Sequence, residues 1–125
     1  MSRAKILVVE DEWLVGHHIQ LTLEDLGYTV VGLTASGNEA LRLATEQRPE
    51  LVLMDVSLEG DMDGLEAAGK ISQQLGLPVV FLTAFSDPQA LGVNLYGFIM
   101  KPFEVQELCS TIEKALQKSR DKNLR

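Results

Sequence analysis

The chain holds one cysteine, Cys109. No intrachain disulfide and no cysteine-based zinc site can therefore form, and a reducing, cytoplasmic setting is expected. Long hydrophobic runs are also missing. No stretch approaches the roughly 20 apolar residues of a membrane span. The apolar run in the opening MSRAKILVVE is broken at once by Glu10, Asp11 and Glu12, unlike a secretory leader, so a soluble protein without a membrane partner is expected. Positive charge is in deficit, with eleven Lys and Arg against eighteen Asp and Glu and a net charge of -7. Neutralising phosphates takes clustered cations, which argues against direct nucleic-acid binding. The only local basic excess, Lys118, Arg120, Lys122 and Arg125, reads as a solvated helix end. Internal repeats and low-complexity tracts are lacking, and no phosphate-loop spacing surrounds Gly60 and Gly64.

What is present fits one compact domain. At 125 residues with 46% hydrophobic side chains the chain can bury a real core. The domain is expected over 1–118, with 119–125 a polar tail or the start of a linker. Four apolar runs, Ile6 to Val9, Val30 to Leu33, Leu51 to Met54 and Val79 to Leu82, and a weaker fifth from Gly97 to Met100, are continuous rather than alternating. Strands read this way when a parallel sheet is covered on both faces.

Helical periodicity fills the intervals. Val15, Ile19, Thr22, Leu23 and Leu26 recur before Gly27; Ser36 caps a second helix carrying Ala40, Leu41 and Ala44 and ended by Pro49. Asp63 caps a third with Leu65, Ala68, Ile71 and Leu75 inward and Gly76 at its end, and a short fourth helix is expected within Ser86 to Leu95, where Pro88 and Gly92 leave room for a couple of turns. After Pro102, a last helix is predicted to face inward with Val105, Leu108, Cys109, Ile112 and Leu116, Cys109 serving as a small buried apolar residue. Five alternations of strand and helix predict an α/β doubly wound sandwich around a five-stranded parallel sheet, in which ligands bind beyond the carboxyl ends of the strands.

At those ends stand Glu10, Asp11 and Glu12 after the first strand, Asp55 after the third, Thr83 after the fourth and Lys101 after the fifth. No buried core requires such a set. Two carboxylates about 4 Å apart repel by roughly 4 kcal/mol at an effective dielectric near 20, so the acids call for a cation, and all-oxygen ligation suits Mg2+ or Mn2+. Asp55 is placed to be the nucleophile of a phosphoryl transfer, with the Thr83 hydroxyl as donor and the Lys101 ammonium as counter-charge for phosphoryl oxygens. Glu10 with Asp11, or Asp11 with Glu12, could supply the acidic pair. Strand register favours the first, since Glu12 suits the positive end of the helix it begins.

In ILVVEDE, LVLMD, FLTA and GFIMKPF the chain resembles the receiver domain of two-component response regulators over essentially its whole length. Each motif is weak alone, but four at the right strands in the right order are specific. The resemblance implies a flavodoxin-like (βα)5 fold with strand order 2-1-3-4-5, and Mg2+ held by Glu10, Asp11, Asp55 and the Ser57 backbone carbonyl. It also implies phosphorylation of Asp55 by a histidine kinase or phosphotransfer protein, and Thr83 and Lys101 contacting the phosphoryl group. Thr83 and Phe98 would act as the switch, Phe98 by packing alone because it lacks a phenolic hydroxyl. The bond before Pro102 is expected to be cis. An output domain or protein, possibly fused C-terminally, would read the result, with the receiver a monomer or weak dimer.

Departures from the family pattern are equally plain. Glu10 replaces the usual first Asp, the loop from Ser57 to Gly64 is about one residue longer than usual and resembles that of receivers that precede sensory or kinase modules, and the Thr83 to Lys101 segment is shorter than usual by about one helical turn. The last point puts a standard dimer through the fourth helix in doubt. Phe85 is bulky enough to shade the phosphoryl group from water while Ser57 is not, so slow self-hydrolysis is expected. His17 and His18 point about 100 degrees apart on a helix and read as surface or boundary residues. Trp13 reads as a packing residue at the start of the first helix whose fluorescence is expected to report metal binding at the nearby acids. Two rival functions stand beside the receiver: a small metal-dependent phosphatase, which lacks a cap domain and has Ser57 where a general acid would sit, and a degenerate receiver that only binds partners.

Overall fold

The computed structural model describes residues 3–56, 58, 62–83 and 96–123. Their elements are β1 Lys5–Val9, α1 Trp13–Asp25, β2 Thr29–Thr34, α2 Gly37–Gln47, β3 Leu51–Asp55, α3 Gly64–Leu75, β4 Val79–Thr83, β5 Gly97–Met100 and α4 Val105–Asn123. The five strands form one parallel sheet in the order β2-β1-β3-β4-β5, as expected. The short helix expected within Ser86 to Leu95 falls outside the described residues, as do Ser57 and Phe85.

The sheet is a partition between two apolar layers, and the pleat sorts residues between them. Ile6 and Val8 of β1, Leu51 and Leu53 of β3, and Val80 and Leu82 of β4 meet Ile19 and Leu23 of α1 and Leu108, Ile112 and Leu116 of α4. Their neighbours Leu7, Val9, Val52, Met54, Val79 and Phe81 face the other way, against Ala40 and Ala44 of α2 and Ala67, Ala68 and Ile71 of α3. Burial on both faces is why the strands lack alternating polar residues. The small residues of α2 and α3 let those helices lie close to the sheet.

Helix ends follow the sequence signals. Ser36 Oγ accepts from the Glu39 N–H at 3.2 Å and Asp63 Oδ1 from the Glu66 N–H at 2.8 Å, each satisfying an otherwise unpaired first-turn donor. Gly76 closes α3 at φ 68°. α2 ends at Arg48 in the left-handed region, φ 49°, immediately before Pro49.

Three expectations need correction. Val105 is 48% exposed because Phe103, just ahead of α4, packs against the α1/α4 layer in its place. Cys109 is half-buried, since Leu108 and Ile112 take the inward stripe; its Sγ lies 3.2 Å from Arg3 Nη1 and 3.8 Å from the Tyr28 hydroxyl. Trp13 is 69% exposed. Its ring turns outward and stacks on His17 one helical turn later, with centroids 5.1 Å apart. Both histidines are exposed, as anticipated.

Candidate functional site

The acids and the lysine converge because parallel strands end together. β1 stops at Val9 and the Glu10 N–H continues the ladder to the Thr34 carbonyl at 2.9 Å, which turns the Glu10 side chain in under the edge, where the residue is 2% exposed. One ladder step away, Asp55 ends β3 beside Leu82 and is 6% exposed. Thr83 ends β4 opposite Met100, and Lys101 follows directly. Glu10, Asp11 and Asp55 each present one carboxylate oxygen within 4.8 Å of the others. Such a group of hard oxygen donors fits a divalent cation such as Mg2+, and these residues could hold one.

Lys101 offsets part of the negative charge in the crevice. Its ammonium donates to Glu10 Oε1 at 2.7 Å and stands 3.5 Å from Asp55 Oδ2. The second Glu10 oxygen accepts the Glu12 N–H at 3.2 Å. Burial alone would push the Glu10 carboxyl up, but hydrogen bonding with Asp55, Lys101 and the Glu12 amide together holds it below its ordinary value. Burial would likewise lower Lys101, yet Glu10 and Asp55 outweigh it and keep the ammonium charged above its ordinary value. Glu12 is exposed and stands at the α1 N-cap. The geometry thus gathers Glu10 with Asp11, as register suggested, and leaves Glu12 out.

The backbone behind Asp55 is tightly fitted. A Cβ on Gly64 would lie 1.9 Å from the Asp55 carbonyl oxygen and 2.8 Å from that of Val56, and the Gly64 N–H donates to the Val56 carbonyl at 3.2 Å. Only glycine lets α3 start this close to the acceptor strand. The Asp63-Gly64 pair at the head of a helix is the sequence signal for this contact. Thr34 was also missed: it is 6% exposed, its hydroxyl accepts the Ser36 N–H at 3.2 Å, and its carbonyl is the one that receives Glu10. Phe98 is half-buried against the α2/α3 layer, and the Lys101–Pro102 peptide is cis.

Beside Lys101 runs an open cleft lined by Val15, His18, Pro102 and Phe103. His18 and Phe103 stack there with centroids 6.3 Å apart. The outer face of α1 exposes Leu14 (76%) and Leu21 (53%), which share helical spacing with His18.

A doubly wound sheet with acids, a terminal Asp and a Lys at its carboxyl edge defines a class of phosphoacceptor domain. The family description "Response regulator receiver domain" matches residues 6–113, and the chain belongs to that family of two-component signalling domains. It is 35% identical over 121 residues to the transcriptional regulatory protein PdtaR of Mycobacterium tuberculosis, covering 94% of this chain and 58% of the relative. To the phyllosphere-induced regulator PhyR of Methylorubrum extorquens it is 32% identical, over 90% of this chain and 43% of the relative. The chain thus spans about half the length of these relatives. Among solved structures, the signal receiver domain of a modulated diguanylate cyclase from Desulfovibrio desulfuricans superposes with a TM-score of 0.88 at 35% identity, covering 95% of this chain and 98% of that one. The N-terminal domain of a response regulator/sensory box/GGDEF three-domain protein from Carboxydothermus hydrogenoformans gives 0.83 at 36% identity, over 97% and 99%. No helix among the described residues is long and apolar enough to cross a membrane.

Proposed function

We propose that Asp55 accepts a phosphoryl group from a phosphohistidine of a sensor kinase or phosphotransfer protein, with Glu10, Asp11 and Asp55 supplying the charge that holds Mg2+ or Mn2+. The observation that carries the reading is the meeting of these three carboxylates within 4.8 Å beside an ammonium 3.5 Å from Asp55. An Asp55 carboxylate oxygen forms the new O–P bond as the P–N bond to the donor imidazole breaks, and the imidazole leaves carrying the electron pair. Lys101, whose ammonium lies near both Glu10 and Asp55, would pair with a phosphoryl oxygen, and Thr83, the last residue of the adjacent strand, would supply a hydroxyl. When bound, a divalent cation held by these acids would offset the negative charge of the transferring phosphoryl group.

The exposed Leu14 and Leu21 of α1 and the cleft of Val15, Pro102 and Phe103 beside Lys101 would suit a helical phosphodonor. Phosphorylation would then bias two packings around Thr83 and Phe98, read by an output module, fused or separate, in the cytoplasm. Ser57 would complete the cation's ligands through its carbonyl, and Phe85 would slow hydrolysis.

Labelling with acetyl phosphate, with and without Mg2+, tests the reading. Stable, metal-dependent incorporation that is lost in Asp55→Asn is expected. No incorporation would leave a partner-binding module, and continuous release of phosphate from an exogenous ester would make the chain an enzyme.

A further inference from the structure

Lys101 does not sit evenly between its two acids. Its ammonium is in full hydrogen-bond contact with Glu10 Oε1 at 2.7 Å and only at the limit of contact with Asp55 Oδ2 at 3.5 Å. Glu10 is built to hold it. The Glu10 side chain is wholly buried, 0% exposed against 23% for Lys101, its second oxygen is fixed by the Glu12 amide, and its Cβ and Cγ lie directly beneath Gly16 of α1. An aspartate on the same backbone would end about 1.3 Å short, one methylene less. The ammonium would then stand outside hydrogen-bond range of position 10, and its nearest remaining carboxylate is Asp55.

Resting on the function proposed above, we infer that Glu10 is a positioning residue that seats Lys101 to one side of the acceptor carboxylate, and that its extra methylene thereby sets the divalent-cation affinity of the crevice. An ammonium that slides onto Asp55 competes with a cation for the same carboxylate. A unit charge moving by about 1 Å at contact range shifts divalent binding on the order of tenfold at an effective dielectric near 20. Glutamate keeps the ammonium close enough to reach an oxygen delivered onto Asp55, yet withholds it until then. The two acids at position 10 therefore differ in where they put Lys101, though their charge is the same.

The test is calorimetric titration of MgCl2 and MnCl2 into the whole chain, as wild type, Glu10→Asp, Lys101→Met and the double variant, with the fold of each checked by circular dichroism. Glu10→Asp is expected to bind roughly tenfold more weakly than wild type. The double variant should bind as Lys101→Met does, since without the ammonium there is nothing to mis-seat. Binding by Glu10→Asp as tight as wild type, or a deficit that survives in the Lys101→Met background, overturns the inference; the second result would make Glu10 a direct ligand whose length matters for the metal alone. Glu10→Gln gives an independent check should Glu10→Asp fail to fold. It keeps the length but removes the charge that pairs with the ammonium, which leaves Lys101 to the Asp55 carboxylate 3.5 Å away, so adding Lys101→Met should raise affinity by a larger factor than in wild type, and equal factors overturn the seating idea. Absence of binding by the wild type would instead remove the functional reading on which the inference rests.

Discussion

Gly64→Ala isolates the fit between α3 and the acceptor strand. The added methyl would lie 1.9 Å from the Asp55 carbonyl oxygen and 2.8 Å from that of Val56, whereas carbon and oxygen need about 3.3 Å, so the helix start or the end of β3 must retreat by more than an ångström. Both atoms met are backbone, which cannot swing aside as a side-chain tip can. Overpacking of this kind costs about 1–3 kcal/mol, and the upper end is expected here. Alanine's better helix propensity offsets this by less than about 1 kcal/mol. A net loss near 2 kcal/mol corresponds to a fall in melting temperature of roughly 8 °C for a domain this size. Because Asp55 itself is displaced, the rate of phosphorylation by acetyl phosphate in protein that remains folded should drop by about a hundredfold, the effect of a 1 Å misplacement of a reacting group. Thermal melting and the initial phosphorylation rate, measured below the melting temperature, read the two effects separately. A variant within 0.5 kcal/mol of wild type that is phosphorylated at the normal rate would refute the argument that glycine is needed for this approach.

Other outcomes follow from the same geometry. Since the folded-state Glu10 carboxyl lies below its ordinary value, its contribution to stability is complete above the usual carboxylate range and is lost as pH falls through the folded value. Urea midpoints from about pH 6 down to 3 should therefore fall less steeply for Glu10→Gln than for wild type, and equal slopes would contradict the pairing. Ser36→Ala removes the acceptor for the Glu39 N–H and is expected to cost about 1 kcal/mol in thermal or urea unfolding, with acetyl phosphate labelling of Asp55 unaffected.

Most of the fold was legible because local and tertiary signals agree. Runs such as Leu51 to Met54, buried on both faces, announce a covered parallel strand, and Ser36 and Asp63 mark helix starts that the backbone uses. The acids, Thr83 and Lys101 were legible for a related reason: polar residues directly after apolar runs must emerge at one edge. Exposure on the helices was harder. Val105 obeys helical periodicity yet yields to Phe103, and Trp13, at the first turn of α1, stacks outward on His17. Cys109 lies beside the inward stripe, where Arg3 and Tyr28 share its contacts. The pairing of Lys101 with Glu10 in preference to Asp55 was not legible either, because it depends on one methylene and on distances across three strands.

The two-layer sorting of the strands has a consequence for how the acceptor could change over time. Val52 and Met54 point to one helical layer while Leu51 and Leu53 point to the other, so slipping β3 by one residue would exchange the two sets and move its last residue by about 3.3 Å along the strand. Asp55 therefore cannot drift on its own. Its address is written in the oily residues before it, so changes that keep the core leave position 55 at the same point of the sheet edge while the loops around it vary.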